Sequence, residues 1–320
     1  MNQTRIQCPV CESDDLCNSG PPRHRPNPRV AGVPIRLDDL RLRHYRCRNC
    51  TYQFVWPRIP QDRLLSCYQG ASGTNWKTDH GQADERSYEV KRQILKKWSP
   101  GRRVLDFGCF DGGFLQFLGE EWERFGVEPG EKAAAIAASR GVKMIGSTVE
   151  RVAPEFAGTI DAIVVFDVME HLVDPVATLS ALRLLLSPNG IILIETGDTS
   201  SSHWRLIGKD YYYCAIVEHV GFFNRRSVAA AATGAALQLC HFRRFVHDSR
   251  ILPLRIRMGS ITSVAGYYAL RVLRALRMSL PPRLNAIAAG GSPAGFDRYD
   301  HFLAVLRRES TIKPQPTTDR

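Results

Sequence analysis

The amino-acid sequence predicts an α/β fold, an open and mostly parallel sheet with helices on both faces, preceded by a small cysteine-rich module. Three observations carry this expectation. Two Cys-x-x-Cys pairs lie within the first 50 residues. From Arg103 to Glu195, short apolar runs alternate with segments of helical period, the pattern of a doubly wound sheet. A glycine turn follows the first of these runs, and an acidic residue closes the second.

The chain has 320 residues, 44% hydrophobic and 23% charged, which suffices for two modest domains or one large one and excludes simple disorder. No uninterrupted apolar run reaches the roughly 18 to 20 residues of a membrane span. Met1 to Cys11 lacks the apolar stretch of a secretion signal, so the expected location is the cytoplasm. Nine cysteines, an odd number, argue in a reducing compartment for metal thiolates and core thiols over a disulfide framework. The net charge of +11 divides into +5 over residues 1–58, −5 over 59–224 and +11 over 225–320. Attraction to phosphate-bearing lipid, nucleotide-sugar or RNA is therefore expected from the C-terminal third, against the plainer reading of a solubilising surface.

Cys8-Pro-Val-Cys11 and Cys47-Arg-Asn-Cys50 are two knuckles, each able to turn both sulfurs toward one ion. Four thiolates fill a tetrahedral zinc shell and leave no place for a reactive water, so such a site is structural. Cys17 and His44 are alternative ligands, and reduced, unmetallated thiols in a small core are the competing reading. Pro21, Pro22, Pro26, Pro28 and Pro34 between the knuckles predict an extended loop before a hairpin ending at His44-Tyr45-Arg46. Gln69 to Gly81 reads as a linker or flexible cover, and Tyr88 to Trp98 as a helix stopped by Ser99-Pro100-Gly101.

Strands are expected at Arg103–Asp106, Arg124–Val127, Val142–Ile145, Ile160–Phe166 and Ile191–Glu195. Gly108 and Gly112, after the first, let the backbone approach a ligand, and the next helix offers unpaired N–H groups. Glu128 closes the second strand 22 residues after Asp106, where a carboxylate can accept both hydroxyls of a ribose. An adenosine-containing cofactor fits that spacing. Helices are expected from Glu131 to Arg140 and after the Asp174-Pro175 start, the latter stopping at Ser187-Pro-Asn-Gly190.

Together, Val104-Leu-Asp-Phe-Gly-Cys-Phe-Asp-Gly112, Gly126-Val-Glu-Pro129, Phe166-Asp-Val-Met-Glu-His-Leu172, Leu185-Leu-Ser-Pro-Asn-Gly190 and Glu218-His-Val-Gly-Phe-Phe223 resemble class I S-adenosylmethionine-dependent methyltransferases. More narrowly, the chain is similar to bacterial members with an N-terminal zinc ribbon, many of which act on sugars, glycan precursors or secondary metabolites. The resemblance implies a Rossmann-like seven-stranded methyltransferase sheet and S-adenosylmethionine as cofactor. It implies that Asp106 fixes the motif loop, that Gly108, Cys109 and Gly112 pass the methionine moiety, and that Glu128 beside Pro129 holds the ribose. Thr148 and Val149 would face the adenine, and Phe166, Asp167 and Val168 would flank the sulfonium. Phe110 departs from the family pattern, which has glycine there, so its ring must turn away from the cofactor.

Methyl transfer to an alcohol or acidic carbon needs a proton removed, and a histidine suits that near neutral pH. His219, beside Glu218, and His171 are the candidates, with helix capping the alternative for His171. In the related sugar C-methyltransferases the pattern before the aromatic pair is Tyr-His-Glu-His, whereas Ile216-Val-Glu-His219 keeps only the last two residues. Tyr211, Tyr212 or Tyr213 could replace the missing tyrosine. O-methylation of a sugar, glycan precursor or secondary metabolite is the leading expectation. C-methylation of a sugar, RNA methylation and a non-catalytic binding protein of the same fold remain alternatives. Asp167-Val-Met-Glu170 is not the Pro-Pro-aromatic turn of base N-methyltransferases, and nucleic acid is not an expected partner.

Strands six and seven are expected at Leu237–Val246 and Asp300–Arg308, around a helical insertion at about 247–295. On its helix over 259–278, Ile261, Val264, Ala265, Tyr268, Val272, Ala275 and Leu276 share one side, and Arg271, Arg274 and Arg277 the other. The helix either packs on the core by its apolar stripe or meets an anionic membrane surface, which would place the protein at the inner membrane face. The expected organisation is a ribbon over 1–60, a linker and leading helix over 61–100, the main domain over 101–310 and a flexible tail over 311–320.

Overall fold

The computed structural model describes residues 5–24, 27–71, 82–245, 254–276, 278–289 and 299–309. In chain order the elements begin with β1 (Leu16–Asn18), β2 (Arg29–Val30), β3 (Val33–Pro34), β4 (Arg43–Cys47), β5 (Gln53–Trp56), α1 (Gln61–Gln69) and α2 (Gln82–Trp98). The central part runs β6 (Arg103–Phe107), α3 (Gly113–Leu118), β7 (Glu123–Val127), α4 (Glu131–Ser139), β8 (Lys143–Gly146), β9 (Ile160–Phe166), α5 (Pro175–Leu185) and β10 (Leu186–Gly197). Then follow α6 (Ser202–Ile207), β11 (Gly221–Phe222), α7 (Arg225–Gly234), β12 (Leu237–Phe245), α8 (Leu254–Ala275), α9 (Pro282–Ala289) and β13 (His301–Arg308).

The main sheet has the order β12-β13-β10-β9-β6-β7-β8. The five strands from β6 to β10 are parallel, and β13 runs antiparallel to β10 and β12, forming the expected last hairpin. Alternation along the strands divides the core. Leu105, Ile163, Val165, Ile192 and Ile194 face α5 and α7, while Val104, Ala162, Val164, Ile191 and Leu193 face α2 and α3. Asp174 caps α5 by accepting from the Ala177 N–H at 3.0 Å, a contact worth about 1 kcal/mol.

Three expectations need correction. Ser187–Gly190 stops α5 but lies inside β10, as an irregularity between the pairs Leu186↔Ile160 and Ile191↔Ala162. The strand resumes at once because the two apolar ends are held by the same neighbour. The leading helix begins at Gln82, six residues before Tyr88. The face of α8 is also rotated from the expected one. Tyr267 is buried and Arg271 pairs with Asp210, whereas Val272 and Leu276 are exposed. A half-buried carboxylate, Asp210, draws Arg271 inward, which leaves the apolar pair outward. The side chains of Ile261 and Val264, together with Arg277, residues 72–81 of the expected cover and the tail 311–320, lie outside the described residues.

The ribbon does not close its own sheet. Its order is β1-β4-β5-β11, with Gly221 opposite Phe54 and Phe222 opposite Gln53, so its last strand comes from beyond β10. Between the knuckles, β2 and β3 form a tight hairpin through Ala31 and Gly32, both at positive φ, the turn that matches strand twist. Val30, Ala31 and Ile35 are buried with Trp204, Tyr211, Val217 and Phe222. The proline-rich insertion therefore folds down over the loop that follows β10.

Candidate active site and cysteine cluster

At the carboxyl end of β6 the chain turns through Gly108–Gly112 into α3. Gly108 and Gly112 have φ of 82° and 75°, where a side chain is strained. A Cβ on Gly108 would lie 2.6 Å from Val168 Cγ2, and one on Gly112 would meet Val142 and Ala137 at 3.0 and 3.1 Å. Close approach of protein, at these two positions, accounts for the glycines. Cys109 is buried behind β7, its thiol pushed well up by burial, and offers the ligand side only backbone. Phe110 adopts φ of 47°, the region its glycine counterpart would favour, and its N–H donates to Glu128 Oε2 at 2.9 Å.

Glu128 also accepts from the Gly130 N–H at 2.8 Å, which sets its carboxylate at the loop, with Pro129 in the turn. Burial raises its pKa, and the two N–H donors oppose that. Asp106 is buried at the end of β6, where burial lifts it from 3.8 to about 7; Lys91 pulls it down and Glu128 pushes it further up. Lys91 comes from α2. It is 4% exposed, pairs with Glu195 on β10, and sits 4.4 Å from the centre of the Phe166 ring. No motif marks Lys91, although Ser87, Lys91 and Leu95 follow one another at four-residue steps, all buried.

Val149 is buried and Thr148 half-buried after β8. Beyond β9, Asp167 takes φ of 52°, with its N–H donating to the Glu195 carbonyl, and Val168 covers Gly108. His301, buried at the start of β13, lies 3.9 Å from Asp167 and hydrogen-bonds Asp300 at 2.9 Å. No motif marked His301; only the antiparallel pairing of β13 with β10 brings it here.

Next to this crevice the structure gathers His171, Glu218 and His219, and adds Tyr68, Glu170 and Tyr213. Glu170 is fully enclosed and accepts from Tyr213 Oη at 2.5 Å and Thr196 Oγ1 at 2.7 Å. Burial raises its pKa, and these two donors lower it. His171 is engaged by Tyr68 Oη at 2.9 Å and by the Glu218 carbonyl, and burial lowers its pKa. Glu218 accepts from the Ala31 N–H at 3.1 Å and from Tyr68, tying the ribbon hairpin and α1 to this loop. His219 Nδ1 lies 3.0 Å from the Tyr213 carbonyl. A carbonyl can only accept, so Nδ1 carries the proton and Nε2 keeps its lone pair in the neutral ring. Burial, and then His171, hold the His219 pKa well below 6.5. The His171 and His219 rings meet edge to face at 4.9 Å.

The four knuckle cysteines bring their sulfurs within 4.8 Å of one another, with Cys8–Cys50 and Cys11–Cys47 each at 3.5 Å. Glu12 and Thr51, just after the second cysteine of each knuckle, have positive φ, closing both turns. A tetrahedral ion with metal–sulfur bonds of about 2.3 Å separates its sulfurs by about 3.8 Å, so the set could hold zinc. Cys17 and His44 lie outside it: Cys17 is exposed on β1, and His44 is enclosed 5.4 Å from the Phe222 ring.

A family described as "Methyltransferase domain" matches residues 81–241. The chain belongs to this family. Residues 81–241 are its methyltransferase domain. Two curated relatives are named ubiquinone biosynthesis O-methyltransferase. The protein of Erwinia tasmaniensis is 30% identical over 120 residues, 35% of this chain and 49% of its own length. That of Vibrio campbellii is 33% identical over 103 residues, 30% of this chain and 44% of its own. The chain thus spans about half the length of the curated relatives it matches. A solved methyltransferase of Thermotoga maritima, titled a possible histamine N-methyltransferase, is 19% identical, with a TM-score of 0.45 over 71% of this chain and 91% of that one.

The residues present fit the cofactor the family uses. Glu128 gives a ribose two acceptor oxygens, each with a lone pair beyond its backbone bond. Asp106 would hold the motif loop, and Asp167 would present a carboxylate to a cationic sulfonium. The methyltransferase domain also contributes β11 to the ribbon, so cysteine cluster and catalytic loops share one hydrogen-bonded framework.

Proposed function

We propose that this methyltransferase transfers its methyl to a hydroxyl of a small-molecule acceptor, a glycan precursor or related metabolite, with His219 as the base. The observation that carries the reading is the His219 Nδ1 bond to the Tyr213 carbonyl, which leaves Nε2 as a proton acceptor. S-adenosylmethionine, when bound, supplies an electrophilic methyl on sulfur. An acceptor O–H directed at Nε2 gives its proton there as the oxygen takes the methyl. Glu170 and Tyr213 position His219, while Glu218 and Tyr68 hold His171 and the ribbon hairpin against the acceptor mouth. The O-methyltransferase names of the partial relatives support the hydroxyl over carbon or nitrogen.

In the same reading the four cysteines hold structural zinc, and the ribbon hairpin forms one wall of the acceptor site. The exposed Val272, Leu276, Met278 and Leu284, beside Arg274 and Arg283, form the surface that would meet an anionic membrane from the cytoplasmic side. The test of the base is His219→Ala, assayed by S-adenosylhomocysteine release on a panel of phenols and sugars. Turnover should fall about 100-fold or more while cofactor affinity stays within about twofold. Unchanged turnover removes His219 from this role. Wild-type turnover should hold down to below pH 6.5, since the base is spent only when His219 protonates.

A further inference from the structure

Where the ribbon meets the loop after β10, a cleft of about 650 Å³ opens, lined in part by Trp204. Five of its lining residues are cations: Arg46 from β4, Arg205 from α6, Lys209, and Arg225 and Arg226 from α7. Among the described residues, no carboxylate lines it. The two acids nearest in the chain are already satisfied. Asp198 is paired with Arg244, and Asp210 with Arg23, Lys209 and Arg271. Among the described residues, Arg46, Arg205, Arg225 and Arg226 have no carboxylate partner.

Stability does not explain this arrangement. Arg225 and Arg226 occupy the first two positions of α7, where the helix dipole disfavours cations. Like charges brought from three separate elements to one cleft repel each other unless an anion joins them. Asn224 takes the Arg226 and Ser227 N–H groups, so the helix lends its field while the arginines supply the donors. Trp204, 1% exposed and also lining the cleft, has an indole N–H with no acceptor among the described residues.

We infer that this cleft binds a phosphate-bearing ligand of the diphosphate class through Arg46, Arg205, Arg225 and Arg226. Guanidinium groups pair with phosphate oxygens in bidentate fashion, and two adjacent phosphates present enough charge to engage arginines from both walls. The site is separate from the cofactor crevice and stands whichever atom accepts the methyl.

The test is calorimetry on the full-length protein saturated with S-adenosylhomocysteine, which occupies the adenosine site. Pyrophosphate, uridine diphosphate and geranyl diphosphate are titrated at about 50 and about 200 mM salt. Binding that weakens with salt, and that Arg205→Gln with Arg226→Gln weakens by about tenfold or more, supports the site. The exposed Arg274→Gln should leave it unchanged, and retained S-adenosylhomocysteine binding shows that each variant is folded. Tighter uridine diphosphate identifies a nucleotide source, and tighter geranyl diphosphate a lipid one. The inference is overturned if none of the three probes binds, or if the double variant binds them like the wild type.

Discussion

Asp106→Asn should change the pH dependence of stability. The carboxyl is enclosed at the end of β6, and burial lifts it from 3.8 to about 7 even with Lys91 nearby. Between these values the folded protein keeps a proton that the unfolded chain has lost. Stability from this group is therefore full below about pH 4, declines as pH rises, and levels off above about 7. A rise of about 3 at about 1.4 kcal/mol each gives a ceiling of about 4 kcal/mol, of which about 2 falls between pH 5 and 7. Asparagine cannot ionise and lacks that decline. At about 2 °C per kcal/mol, the melting temperature of the variant relative to wild type should rise by up to about 5 °C from pH 5 to pH 8. Calorimetric melts of both proteins without cofactor, at several pH values, measure it. A constant offset across the range refutes the reasoning and would mean that Lys91 keeps Asp106 ionised in the fold.

The remaining predictions concern the ribbon and the helical hairpin. Removing metal with a chelator at neutral pH should release about one zinc per chain. It should also expose the 29–35 hairpin to proteolysis and lower turnover, because Val30 and Ala31 share a cluster with Trp204 and Tyr211. A chain that contains no zinc as isolated, with the ribbon intact, contradicts the metal reading. Vesicles containing anionic lipid should sediment the protein at low salt and release it at high salt, and Leu276→Asp should weaken that binding. Absence of binding to anionic vesicles at low salt rules out the membrane contact.

Much of the main sheet is legible because its signals are local and repeated. The apolar run of β9, the Asp174-Pro175 helix start and the glycine turn each depend on a few adjacent residues, and the structure places them as expected. The knuckle cysteines converge for the same reason. The parts that were not legible depend on long-range pairing. Lys91 reads as an ordinary helix lysine until α2 packs on β10 and presents Glu195. His301 reaches Asp167 only through the register of β13, and the ribbon borrows β11 from 165 residues beyond β5, a partnership that no spacing announces. The rotated face of α8 follows from Asp210, a half-buried carboxylate whose pairing with Arg271 cannot be read from its own loop.

The central claim is that Glu128 and the turn from Gly108 to Gly112 grip S-adenosylmethionine. Isothermal titration of the folded protein with that compound tests it most directly, alongside Glu128→Ala. The account predicts micromolar binding by the wild type and at least about tenfold weaker binding by the variant, as expected for losing charge-assisted bonds to both ribose hydroxyls. Undetectable binding by folded wild-type protein, or equal binding by the two, would contradict it.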